Sequence, residues 1–169
     1  GQFEYVFDTL TFSSRNVALN MENITLVVSN DLHVSGNANL VIGNHLFPNR
    51  AITSTDVYRE TTNINVTVRG DITVAGATLF IGNAGQFVNP SVQVGGDINI
   101  TRENDSIGQL YMTSGVSTNT DRVGGKLDIA GSLNIASNGW LYPYSQQTNG
   151  ASVKITAAET IIAAGGGIS

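Results

Sequence analysis

The chain has 169 residues, of which only 12% are charged, and carries a formal net charge of −5 with no cysteine. Two lysines and six scattered arginines form no basic stripe for phosphates, which argues against a nucleic-acid partner. No apolar run approaches the ~20 residues of a membrane-spanning helix, and the lack of cysteine excludes disulfides and thiolate zinc sites.

A single domain over 1–169 is the expectation, since a chain of this size buries roughly two-thirds of its unfolded surface around one core. Gly1-Gln2-Phe3-Glu4 lacks the basic-then-apolar layout of a signal peptide, so any export signal is expected to be absent from this sequence. The polarity comes from Asn, Thr, Ser and 19 Gly, the mixture of strands, turns and uncharged faces.

Phe3, Tyr5 and Phe7 recur at every second position, which predicts an apolar strand that closes a first coil or is donated to a neighbouring chain. Leu10-Thr11-Phe12-Ser13-Ser14 with Val17-Ala18-Leu19 then forms a degenerate first copy of a repeat. Its second copy runs Leu26-Val27-Val28-Ser29-Asn30-Asp31-Leu32-His33-Val34-Ser35-Gly36 and on to Leu40-Val41-Ile42-Gly43-Asn44. The clearest copy is Val66-Thr67-Val68-Arg69-Gly70-Asp71-Ile72-Thr73-Val74-Ala75-Gly76 followed by Leu79-Phe80-Ile81-Gly82-Asn83. Further copies place Val92 to Ile100 before Leu110-Tyr111-Met112, and Leu127 to Ile135 before Trp140-Leu141-Tyr142. A final copy, Val153-Lys154-Ile155-Thr156-Ala157, runs into Gly165-Gly166-Gly167-Ile168.

Each copy contains two short alternating strands, a corner and a third strand, and none is large enough to bury its own apolar face. Stacking makes one continuous core, so the predicted fold is all-β: a right-handed parallel β-helix, or solenoid, of about five to six coils. Phe12, Val34, Val74, Ile100 and Ile135 are the expected core equivalents. Their unequal separations imply a basic coil of about 22–26 residues with two insertions, 45–59 and 102–108. Gly70, Gly96 and Gly131 fall at the first corner, where positive φ or close backbone approach is needed. An antiparallel β-sandwich is the alternative, being also built of short strands with Gly and Asn turns.

The pattern Val-x-Val-x-Gly-Asp-Ile-x-Val, with a following Gly and Leu-x-Ile, resembles the repeats of bacterial secreted surface proteins with β-helical passenger or adhesin regions. That resemblance implies an extracellular or cell-surface location, a structural or adhesive function, and partners that are other copies of itself or the rest of a longer surface protein. It implies no catalytic motif. The glycine-rich stretch before Ser169 resembles the interior of a longer protein of this kind, so an excised segment is an alternative to a self-assembling fibre subunit.

Alternation points Leu40, Leu79, Leu110 and Leu141 inward with Ile42, Ile81 and Met112, and Val41, Phe80, Tyr111 and Tyr142 outward in one column. Either the insertions fold back over this column, or it is an interface or a sugar-stacking platform. Trp140, Tyr142 and Tyr144, beside Gln146 and Gln147, are the best carbohydrate candidates, and a carbohydrate-binding or polysaccharide-processing β-helix is the competing functional reading.

Asp31, Asp71 and Asp97 share one corner; stacked like charges repel, which a calcium ion with oxygen ligands would relieve, as would solvent and Arg69. No other cofactor is indicated. Arg69-Gly70-Asp71 spells an integrin-recognition tripeptide, but the corner repeat explains it. His33 and His45 have no nucleophile context, and Asp56, Arg59, Glu60, Arg102, Glu103 and Asp105 read as loop charges, so no enzyme is predicted. Asn23, Asn65, Asn99 and Asn104 head glycosylation sequons of the kind an Asn- and Thr-rich sequence forms by chance.

Overall fold

The computed structural model describes residues 3–44, 61–83, 88–117, 120–146 and 150–169. They form three six-stranded sheets in which every strand pairing is parallel, the arrangement of a parallel β-helix with six coils. The first coil contains β1 (Phe3–Phe7), β2 (Leu10–Ser13) and β3 (Asn16–Leu19); the second β4 (Asn23–Val28), β5 (Leu32–Ser35) and β6 (Asn39–Asn44). The third is β7 (Asn63–Val68), β8 (Ile72–Ala75) and β9 (Thr78–Asn83), and the fourth β10 (Ser91–Val94), β11 (Ile98–Thr101) and β12 (Gly108–Thr113). β13 (Val123–Ile129), β14 (Ser132–Ile135) and β15 (Gly139–Tyr144) make the fifth, and β16 (Ser152–Thr156), β17 (Glu159–Ile162) and β18 (Gly167–Ile168) the sixth.

The three sheets are β1-β4-β7-β10-β13-β16, then β2-β5-β8-β11-β14-β17, then β3-β6-β9-β12-β15-β18. Sandwich pairing, which is antiparallel, is therefore excluded. The single antiparallel contact among the described residues is a bridge between Glu103 and Ser106, inside a turn.

Alternation in the sequence becomes alternation in burial: β4 and β5 each bury every second side chain and leave the others half-exposed. Inward residues stack in columns from coil to coil, as in Phe12–Val34–Val74–Ile100–Ile135–Ile162, matching the expected core equivalents and adding Ile162. These columns merge into one core containing Leu26, Val66, Val92, Leu127, Leu40, Leu79, Leu110 and Leu141, each at most 2% exposed. Burying each such side chain contributes about 1.5–3 kcal/mol, and a coil obtains that contribution only from the coils above and below it.

Length variation sits at the corners. The third corner, leading from the third sheet back to the first, takes 20–22 in the first coil but 114–122 in the fourth. The 45–59 insertion falls at that corner of the second coil and lies outside the described residues. Residues 102–107 form a different excursion, at the second corner of the fourth coil.

Candidate functional site

At the first corner, between the first and second sheets, the stacked aspartates are tied to the backbone. Asp31 Oδ1 accepts the Asp71 N–H at 2.8 Å, Asp71 Oδ1 accepts the Asp97 N–H at 2.8 Å, and Asp97 Oδ1 accepts the Ser132 N–H at 2.7 Å. The backbone N–H of the next coil thus stabilises the charge of each carboxylate through a charge-assisted hydrogen bond. The close approach explains the preceding glycines: a Cβ on Gly70, Gly96 or Gly131 would lie 2.2, 2.1 or 2.1 Å from the carboxylate oxygen of the previous coil. Of the two reasons anticipated for these glycines, close approach is the one that applies. Within Arg69-Gly70-Asp71, the aspartate is a rung of this ladder. Among the described residues no group of three or more His, Asp or Glu is arranged to hold a metal ion.

The outward column of the third sheet is in the expected register: Val41 opposes Phe80, Phe80 opposes Tyr111, and Tyr111 opposes Tyr142. Its two halves differ. Val41 and Phe80 are buried although they point away from the core, whereas Tyr111, Trp140 and Tyr142 are half-buried and Tyr144 is 44% exposed. The Tyr111 and Tyr142 rings stack at 4.5 Å and 10°, Trp140 and Tyr142 lie at 6.2 Å and 22°, and Tyr144 tilts against both tyrosines. On the far side of Trp140 the chain passes so close that a Cβ on Gly167 would lie 2.8 Å from the indole ring.

Stacking of this kind contributes about 0.5–1.5 kcal/mol per pair beyond burial and clips successive coils together. It also turns the Tyr111 ring face toward the Tyr142 ring, so a ligand meets ring edges and hydroxyls there. The Gln109 amide donates to the Tyr111 hydroxyl at 2.9 Å. Burial, followed by the Tyr142 and Tyr144 phenols, pushes the Tyr111 hydroxyl from 10.0 up to about 12.

The 102–107 excursion does not cover this column. It folds over the second corner, where Glu103 Oε2 accepts the Gly36 N–H at 2.7 Å and the Ser106 hydroxyl donates to Asn37 Oδ1. Arg102 braces the turn, donating to the Asn104 carbonyl and to Asp105 Oδ1 at 2.6 Å. Between the excursion and the third sheet runs an open groove of about 430 Å3, lined by Asn37, Asn39, Thr78, Asp105, Ser106 and Gln109 among others.

His33 faces outward on β5, with its Nε2 3.9 Å from Asp31 Oδ2. His45, Asp56, Arg59, Glu60 and Gln147 lie outside the described residues. Asn23 Oδ1 accepts the Thr62 hydroxyl and Asn99 Oδ1 accepts the Asn134 amide, while Asn65 lies mid-strand in β7. Asn104 alone of the four sequon asparagines sits in an exposed turn, with φ of 53°.

The two end coils are the surfaces that sequence reasoning located least completely. β1 pairs with β4 of its own chain, closing the first coil, and Tyr5 and Phe7 stack on each other at 6.5 Å; the Phe3 side chain lies outside the described residues. Tyr5, Leu10, Phe12, Val17 and Leu19 pack against the core yet stay only partly buried, and Phe7 is 37% exposed. At the other end Val153, Ile155 and Ala157 are partly buried, while Ile161, Ile162 and Ile168 are 51%, 46% and 43% exposed. Among the described residues, the end strands β1–β3 and β16–β18 each have a partner strand on one side only. No family model matches the chain, and no curated protein or solved structure matches it.

Proposed function

We propose that this chain is a structural, non-enzymatic unit of an extracellular or cell-surface β-helix, acting as a segment of a surface protein or as a subunit of a self-assembling fibre. The carrying observation is that the core columns run out to both ends and stop in partly exposed apolar side chains. Beside them lie strand edges that, among the described residues, have a partner on one side only, a ready template for further pairing. Resemblance of the Gly-Asp rung to adhesin repeats supports the extracellular and adhesive part of the reading. Light scattering across dilution tests it: mean particle mass rises with concentration. A concentration-independent monomer whose β1 and β16 amides exchange as slowly as those of β8 contradicts it.

A second reading, carbohydrate binding, is favoured by the amide- and hydroxyl-lined groove beside Gln109, which adjoins the aromatic column and carries the 41% exposed Ile107. A glycan array tests that reading. Retained binding that disappears in Gln109→Ala would establish it, and an array without binding would remove it.

A further inference from the structure

We propose that the two ends are complementary, so that β16–β18 of one copy receive β1–β3 of a second copy in continuation of the internal register. This rests on the structural reading above and adds to it the partner, the polarity and the register. Polarity comes from strand direction. Every sheet is parallel, and only a head-to-tail contact extends a parallel ladder; head-to-head or tail-to-tail contacts oppose the strands.

Register comes from the columns. Tyr5, Leu26, Val66, Val92, Leu127 and Ile155 form one inward column, which places Tyr5 of the next copy over Ile155. The neighbouring column starts with Phe7 over Val28 and continues through Val68, Val94 and Ile129; with Asp128 opposite Thr156, it ends at Ala157. Its largest side chain and its smallest are therefore at opposite ends, and stacking sets the exposed Phe7 ring into the space that Ala157 leaves. On the second sheet, Phe12 of the next copy falls over Ile162, and on the third, Val17 falls over Ile168. Both isoleucines are exposed in the single copy.

Charge agrees with size. The outward column Glu4–Thr25–Asn65–Ser91–Lys126–Lys154 ends in two exposed lysines directly opposite each other, an unfavourable pair. Continuation places the carboxylate of Glu4 from the next copy beside Lys154, offsetting that repulsion. Contact between two different patches does not close on itself, so it propagates into a filament.

The chain has no cysteine, which permits a direct test. Val6, 62% exposed, and Thr156, also exposed, stand at opposite ends of one outward column. In the proposed contact they are neighbours on adjacent strands about 4.8 Å apart, within disulfide range. Val6→Cys and Thr156→Cys proteins, mixed under mild oxidation, are expected to give the 6–156 disulfide as the main product, and a chain bearing both cysteines a ladder of covalent multimers. Lys154→Glu in the Thr156→Cys chain is expected to reduce the yield roughly twofold to fivefold, and Glu4→Lys in the Val6→Cys chain to restore it. Association without a 6–156 link, or with 6–6 or 156–156 links predominating, overturns this inference and leaves the structural reading standing. A monomer with end strands as protected as the central ones overturns both.

Discussion

At the scale of single residues, the first corner is held by an interaction between neighbouring coils rather than within one. Asp71 accepts the N–H of Asp97, and the chain ahead of Asp97 must be glycine because Gly96 leaves no room for a Cβ beside that same carboxylate. Asp71→Ala should cost about 1.5–3 kcal/mol in urea denaturation, whereas Asp71→Asn, which keeps an oxygen acceptor, should cost visibly less. Gly96→Ala should cost about 1–3 kcal/mol by overpacking. Unchanged stability in Asp71→Ala and Gly96→Ala would contradict the ladder. The stack of aspartates was legible in the sequence, but its satisfaction by main-chain donors was not, because nothing in a side-chain pattern says where the next coil's N–H groups point. Tyr111 supplies a pH test. Its hydroxyl ionises near 10.0 when unfolded and near 12 when folded, so the unfolded chain loses its proton first. Its contribution is thus fully present below pH 10.0 and lost as pH rises toward about 12. The alkaline phenolate absorbance of wild type minus that of Tyr111→Phe should place its midpoint near 12; a midpoint near 10.0 would show an unburied phenol.

At the scale of elements, period-two alternation made strands, inward columns and register readable, because a one-residue slip would turn every Val and Ile of a coil to solvent. The same rule placed Val41, Phe80, Tyr111 and Tyr142 in one outward file, as observed. Less legible was the division of that file into a buried half and a half-exposed one, which alternation alone does not set. The 102–107 excursion carries the same lesson: Glu103 is fixed by the N–H of Gly36, two coils earlier, and no local signal announces that partner. Since Phe80 is 4% exposed, Phe80→Ala should destabilise like a core truncation, by about 3–5 kcal/mol. Thr67→Ala, outward on β7 and half-exposed, should stay within about 0.5 kcal/mol. Equal small effects in both variants by thermal denaturation would mean that the outer file contributes nothing to coil stacking.

At the scale of the whole molecule, a solenoid is stable through its neighbours, so the coils with one neighbour set its behaviour. Here those coils expose Phe7 at one end and Ile162 and Ile168 at the other, with Glu4 and Lys154 of opposite sign alongside. The alternation of Phe3, Tyr5 and Phe7 marked the first end in the sequence. The last was harder to recognise, because nothing in Gly165-Gly166-Gly167-Ile168 itself announces that Gly167 packs against the Trp140 ring. The most direct test of an open-ended solenoid that continues by stacking is electron microscopy of the purified chain over a concentration series. With six coils per copy and about 4.8 Å per coil, the predicted result is unbranched filaments with a subunit repeat of about 29 Å along the axis. Discrete particles the size of one copy at every concentration would contradict it.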